Sequence, residues 1–209
     1  MNRSPSSGPS SSEKKTLTDI LRLRFRFIIE PIVTHLARLP VSPNLLTVLG
    51  TLGHLIVAWL ISNGQMQGAG IAIMLIAPLD ALDGALARKL GYKAEGFGAF
   101  LDSTLDRIAE IILFGGFLFY YGSVGDMLMM ATTYIAITGS IMVSYARARA
   151  EALDLSCKIG LLSRVERYVI LTLTLLVGYP QVGLVILALF SYITVAQRVF
   201  HVWQQTIQD

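Results

Sequence analysis

Four aspartates, Asp80, Asp83, Asp102 and Asp106, stand at spacings of three, nineteen and four residues inside segments apolar enough to lie in a membrane. A single ionised group is costly in such surroundings, so four of them need a joint reason to be there. If the flanking segments are helices, the three-residue step puts Asp80 and Asp83 on one face, with Gly84 and Ala87 on the same arc. Gly98, Asp102 and Asp106, four residues apart in turn, line one face of the next helix. Across a helix hairpin the two acidic pairs converge into a cage for hard divalent cations. Gly84 and Ala87 leave room for a ligand to approach the helix backbone, and Arg88 supplies a planar fork suited to phosphate oxygens. Metal plus phosphate is the chemistry these residues point to.

The elements that must position them are membrane helices. With 54% hydrophobic and 15% charged residues and a mean hydropathy of +0.61, the chain of 209 residues is too apolar for an ordinary soluble domain and reads as an all-α integral membrane protein. Nothing in it suggests a nucleic-acid partner. The Ser/Pro/Gly-rich residues 1–13 read as a disordered tail and not as a signal peptide. Residues 14–40 mix apolar positions with Lys14, Lys15, Arg22, Arg24, Arg26 and Arg38, the pattern of an amphipathic juxtamembrane helix at an anionic leaflet, bent or restarted at Pro31. A six-helix domain over 42–204 follows.

Its spans are expected near 42–64, 67–90, 97–121, 126–150, 164–179 and 182–203. Ser42 and Pro43 open the first as cap and first helical residue. Pro78 can kink the second just before the acids. His54 fits a satisfied core histidine, and Glu110 a partner either of Arg107 or of a polar group on the fourth span. Gly50, Gly53, Gly115 and Gly116 permit close helix contact, within one protomer or between two. Arg198 and His201 fit interfacial anchors. The lone Cys157 rules out an intramolecular disulfide and reads as structural filler.

Orientation follows from the basic residues. The connections near 62–67, 121–126 and 178–182 contain no Lys or Arg, while all 17 basic residues fall in the tails, the other connections or the adjoining helix ends. The positive-inside rule then places both termini in the cytosol, which requires an even number of spans. The chain is therefore expected to be a multi-pass protein of the cytoplasmic membrane, with the acids and the arginines at 147, 149, 164 and 167 facing the cytosol.

Asp80, Asp83, Gly84, Ala87, Arg88, Gly98, Asp102 and Asp106 together spell D-x2-D-G-x2-A-R-x9-G-x3-D-x3-D, eight positions over 27 residues. This pattern resembles the signature of the CDP-alcohol phosphotransferases. The resemblance implies a homodimer that transfers a phosphatidyl-type group from a CDP-linked lipid, CDP-diacylglycerol or an ether-lipid analogue, to an alcohol and releases CMP. It also implies two divalent ions, Mg2+ or Mn2+, on Asp80, Asp83, Asp102 and Asp106, with Asp106 as general base on the acceptor hydroxyl. Gly84 and Arg88 would contact the CDP part. Asn44 and Thr47 are similar to the family's Pro-Asx/Asn-x-x-Thr element beside the nucleotide, although capping explains Asn44 as well. One departure is Glu95, where many relatives carry Ser or Thr close to the nucleotide phosphates; Lys93 is near enough in sequence to compensate.

Within the family, Asp106-Arg107, the S-Y-x-R-A-R-A-E run from Ser144 to Glu151, and Arg164 with Glu166 and Arg167 are similar to phosphatidylinositol-phosphate and archaetidylinositol-phosphate synthases. That similarity assigns Arg107, Ser144, Arg147, Arg149, Arg164 and Arg167 to the phosphate of a phosphorylated acceptor, inositol-1-phosphate first. The same arginines also fit membrane anchors. Glycerol-3-phosphate is the rival acceptor, but its synthases often show Asp-Pro at the third acid and Lys after the fourth, where this chain has Ser103 and Arg107. A cation transporter is the alternative of another class; no second copy of the acidic motif supports it, and it leaves Gly84, Ala87 and Arg88 unexplained.

Overall fold

The computed structural model describes residues 27, 29–92, 96–157 and 159–207, all helix, turn or loop. The expected tail at 1–13 and most of the basic half of the juxtamembrane segment lie outside the described residues, as do Lys93 and Glu95. Among the described residues seven helices follow in order. They are α1 (29–36), α2 (Pro43–Ser62), α3 (Met66–Lys89), α4 (Phe97–Ser123), α5 (Met127–Glu151), α6 (Arg164–Val177) and α7 (Pro180–Ile207).

Local sequence sets their limits. Ser42 caps α2 by accepting the Leu45 N–H at 3.2 Å, with Pro43 as the first helical residue. Gly178 ends α6 in a left-handed conformation, φ 84°, which only glycine adopts without strain. Helix α3 runs continuously through Pro78.

The long helices form a closed ring of neighbours, α2–α3–α6–α7–α5–α4 and back to α2. Each contributes to one apolar centre, with Val57, Ile73, Phe117, Ala136, Leu175 and Leu187 among its members. The outward faces stay apolar: Leu52, Leu55, Ile56 and Trp59 of α2 are more than half exposed. A belt of this kind belongs against lipid. Helices α2, α3, α5 and α7 are long and apolar enough to cross a membrane. Helix α4 has the length, but carries Asp102, Asp106, Arg107 and Glu110 in its first half, and α6 has 14 residues.

Small residues let these helices approach. A Cβ on Gly116 would sit 2.7 Å from the Ala58 carbonyl oxygen of α2, and one on Gly53 would press on Ile76 at 2.9 Å. Gly50 likewise faces α3, so three of the four glycines singled out in the sequence serve packing inside the protomer, whereas Gly115 has nothing within 4 Å.

Helix α1 lies on the ends of α2 and α3, its Val33 buried with Leu46, Leu82 and Leu86. The connection from α5 to α6 is fastened to α7. Arg198 Nε donates to the Ile159 carbonyl at 2.9 Å and Nη1 to that of Val143, and Thr194 Oγ1 accepts the Leu162 N–H at 3.2 Å. Arg198 is 5% exposed, so it is an internal tie and not the interfacial anchor its position near the chain end suggests. Cys157 is buried in the same connection, and burial pushes its thiol pKa up, consistent with a packing role.

The Gly116 contact can be tested directly. Gly116→Ala should destabilise the detergent-solubilised protein by about 1–3 kcal/mol, because backbone and not a flexible side chain stands in the way. Gly115→Ala, made one residue away, should not lower the melting temperature.

Candidate active site

The start of α2, the end of α3, and the starts of α4 and α6 meet at one end of the bundle. Asp83 is 5% exposed and accepts a hydrogen bond from Thr47 Oγ1 at 2.7 Å. Asn44, one turn earlier on α2, faces α4, where a Cβ on Gly98 would lie 3.4 Å from its Oδ1. The Asn44 and Thr47 pair thus sits against both halves of the acidic motif. A Cβ on Gly84 would meet Arg88 Nη1 at 3.4 Å, so that glycine and arginine share one surface.

The other two firm contacts come from Arg164, at the first position of α6. Its Nη2 donates to Asp80 Oδ2 at 2.9 Å and its Nη1 pairs with Asp106 Oδ2 at 2.6 Å. Asp102 lies within electrostatic reach of Asp80, Asp83, Asp106 and Arg164. The bundle therefore gathers the four aspartates at one end, two of them, Asp80 and Asp106, paired with one guanidinium.

One turn further along α6, Arg167 is 2% exposed and its Nη2 pairs with Glu110 Oε1 at 2.8 Å. Ser140 donates to the same Glu110 oxygen at 3.1 Å, and Ser144 accepts from Arg167 Nη2 at 3.4 Å. Glu110 thus finds a partner on α6 and a polar group on α5, the second of which the sequence offered as one alternative. Arg167 and Ser144 are tied into this buried network. Arg147 is exposed and pairs with Glu151 of its own helix at 2.8 Å, Arg149 is exposed, and Arg107 Nη1 donates to the Ser103 carbonyl. Of the arginines expected to gather for the acceptor phosphate, Arg164 makes ion pairs with the aspartates and Arg107 lies within electrostatic reach of Asp102 and Asp106.

Sequence reading missed one partner of Arg164, Tyr168, and the residue behind it, His54. The Arg164 Cζ lies 5.3 Å from the centre of the Tyr168 ring, and the Tyr168 hydroxyl is 3.2 Å from His54 Nε2. The four-residue step from Arg164 to Tyr168 was the available signal, because it stacks the two on one helix face.

The donors fit a hard divalent cation by chemistry, being carboxylate oxygens in a site where a positive guanidinium already supplies the counter-charge. In the described side-chain positions, no three of the described Asp, Glu, His or Cys residues come together closely enough to hold one. Arg164 engages only the Oδ2 atoms of Asp80 and Asp106, so the second oxygen of each carboxylate is left to face a cation. A cleft of about 480 Å3 at the opposite end of the bundle, beside Gln65, Tyr120 and Gln181, has no charged lining residue and is remote from this chemistry.

Fold and site define a polytopic membrane protein with a polyacidic, arginine-bridged site suited to phosphoryl groups. The family model for CDP-alcohol phosphatidyltransferases matches residues 40–203. The chain is 39% identical over 182 residues to the archaetidylinositol phosphate synthase of Pyrococcus horikoshii, covering 86% of this chain and 93% of that one. It superimposes with a TM-score of 0.79 and 33% identity on the crystal structure of Mycobacterium tuberculosis phosphatidylinositol phosphate synthase with CDP-DAG bound, covering 85% of this chain and 94% of that one. The same enzyme in complex with manganese and citrate matches at a TM-score of 0.78 and 33% identity, over 84% of this chain and 88% of that one. This chain belongs to the CDP-alcohol phosphatidyltransferase family, and is a membrane transferase of phospholipid biosynthesis.

The Glu110–Arg167 pair makes a separate prediction. Glu110→Leu leaves a buried guanidinium uncompensated and should destabilise the protein by about 3–5 kcal/mol. Adding Arg167→Leu should recover most of that loss. Unfolding of the single and double variants in detergent measures both.

Proposed function

We propose that this protein transfers a phosphatidyl-type group from CDP-diacylglycerol, or an ether-lipid analogue, to inositol-1-phosphate, releasing CMP in a metal-dependent reaction. The observation that carries this reading is the placing of Arg164 between Asp80 and Asp106: a phosphate-binding fork stands beside the carboxylates that would serve the donor. A neutral acceptor needs no such cation, whereas a phosphorylated one does. The names of the relatives agree, one making an archaetidylinositol phosphate and another taking CDP-DAG and manganese.

Asp80, Asp83, Asp102 and Asp106 would hold Mg2+ or Mn2+, as two ions. When bound, these ions supply charge neutralisation at the pyrophosphate oxygens of the donor. The chain's own residues do the rest. Thr47 keeps Asp83 oriented, and Asn44, Gly84 and Arg88 receive the CDP part. Asp106 takes the proton from the acceptor hydroxyl as that oxygen forms its bond to the lipid-bearing phosphorus. The bond from that phosphorus to the bridging oxygen breaks, and CMP leaves with the electron pair. Arg164 binds the acceptor's own phosphate, with Arg107, Arg147 and Arg149 drawing the anion toward the site.

For the whole chain we propose six spans, α2 to α7, with α4 and α6 crossing as parts of the ring despite their charges and short length. Both termini and the active site face the cytosol, so soluble acceptor enters from water while lipid tails stay in the bilayer. Residues 42–204 form the catalytic domain, which works as a homodimer.

CMP release by purified protein with CDP-diacylglycerol and Mg2+ should require inositol-1-phosphate, with free inositol, serine and glycerol-3-phosphate at background. Chelation with EDTA should abolish it. Asp106→Asn should lower kcat by about 10²–10⁴-fold, the usual worth of a general base. Release driven by glycerol-3-phosphate would replace the acceptor and keep the metal chemistry.

A further inference from the structure

The guanidinium between the acids is itself held from behind. Arg164 Nε is buried with no hydrogen-bond partner, so the plane of the group is set by Asp80, Asp106 and the ring of Tyr168 beneath it. Tyr168 is fixed in turn by His54, which is 4% exposed and meets its ring edge-on at a centroid distance of 5.9 Å. His54 Nδ1 lies 2.8 Å from the Gly50 carbonyl. A carbonyl only accepts, so Nδ1 carries the proton and Nε2 is left to accept from the Tyr168 hydroxyl at 3.2 Å. Gly50 is also where α2 passes Asp80, since a Cβ there would lie 3.5 Å from Asp80 Oδ1. A strut therefore runs from the α2 backbone through His54 and Tyr168 to the face of Arg164, and ends on the two acids.

We propose that Tyr168 and His54 are positioning residues for the acceptor: they set the height and tilt of the Arg164 guanidinium, and through it the affinity for the acceptor's phosphate. The inference rests on reading Arg164 as the acceptor-phosphate ligand. An aromatic face suits this task better than another carboxylate would. It attracts the cation without neutralising it, which leaves the positive charge available to an incoming phosphate. The hydroxyl bond to His54 holds the ring at one depth. An arginine side chain has many rotamers, so losing that support spreads the guanidinium over several placements and weakens its hold on an anion.

The test uses the full chain in detergent, with CMP release measured against inositol-1-phosphate and CDP-diacylglycerol in turn, and inositol-1-phosphate binding measured by calorimetry with Mg2+ and no donor. Tyr168→Leu should raise both the KM and the Kd for inositol-1-phosphate about tenfold, leaving the KM for CDP-diacylglycerol unchanged. Tyr168→Phe, which keeps the ring and removes its hydrogen bond to His54, should raise the acceptor KM about threefold; His54→Phe, which removes that bond together with the one to the Gly50 carbonyl, should raise it at least as much, and the double variant no more than His54→Phe alone. Arg164→Gln in the same assays reports on the underlying reading and should raise the acceptor KM at least about tenfold. If Arg164→Gln has that effect and the Tyr168 and His54 variants do not, the strut is overturned and the role of Arg164 stands. An unchanged acceptor KM in Arg164→Gln overturns both. Equal rises in the two KM values, or single-variant effects that multiply in the double variant, would assign Tyr168 and His54 to general packing and overturn the proposal.

Discussion

Charge compensation by α6 is the constraint on which the rest of this structure depends. Helices α3 and α4 carry acids that an apolar bundle cannot tolerate unpaired. Two answering cations stand on the first turn of one short helix: Arg164 meets Asp80 and Asp106, and Arg167 meets Glu110. The two pairs differ in surroundings and therefore in use. Arg164 is part-exposed at the bundle end, where a charged ligand can compete for it; Arg167 is sealed within the protein and also bonded to Ser144. A sealed ion pair adds little net stability compared with an apolar pair, but it fixes which residues meet and so fixes the rotation of α6. That rotation aims Arg164.

The start of α6 is set from the other side by the α5–α6 connection. Arg198 and Thr194 of α7 hold it through Ile159 and Leu162, Arg198 also donating to the Val143 carbonyl of α5, and Gly160, with φ 129°, passes so close to α7 that a Cβ there would clash with the Thr194 methyl. No other residue type fits that path. The loop that introduces the arginines is thus as defined as the helices, which is what a site built from several chain segments requires. Elsewhere in the ring, close approach at Gly116 and Gly53 supplies the van der Waals contact that the hydrophobic effect cannot supply between helices already surrounded by lipid.

What the sequence determined by itself is what short-range periodicity controls. The three- and four-residue steps among Asp80, Asp83, Asp102 and Asp106 fix which helix face each occupies, Ser42-Pro43 fixes where α2 begins, and the eight-position signature fixes the family. These follow from helix geometry and capping, which act over a single turn. The tertiary structure alone decided which cation answers which acid. Arg164 is 84 residues from Asp80, Arg167 is 57 from Glu110, and Tyr168 is 114 from His54. Sequence supplied five candidate arginines near the site without ranking them, because pairing at such separations depends on the order of helices around the ring and on the rotation of each about its own axis. The same reason explains Arg198, whose place near the chain end suggests an interfacial anchor until α7 turns it inward onto the α5–α6 connection.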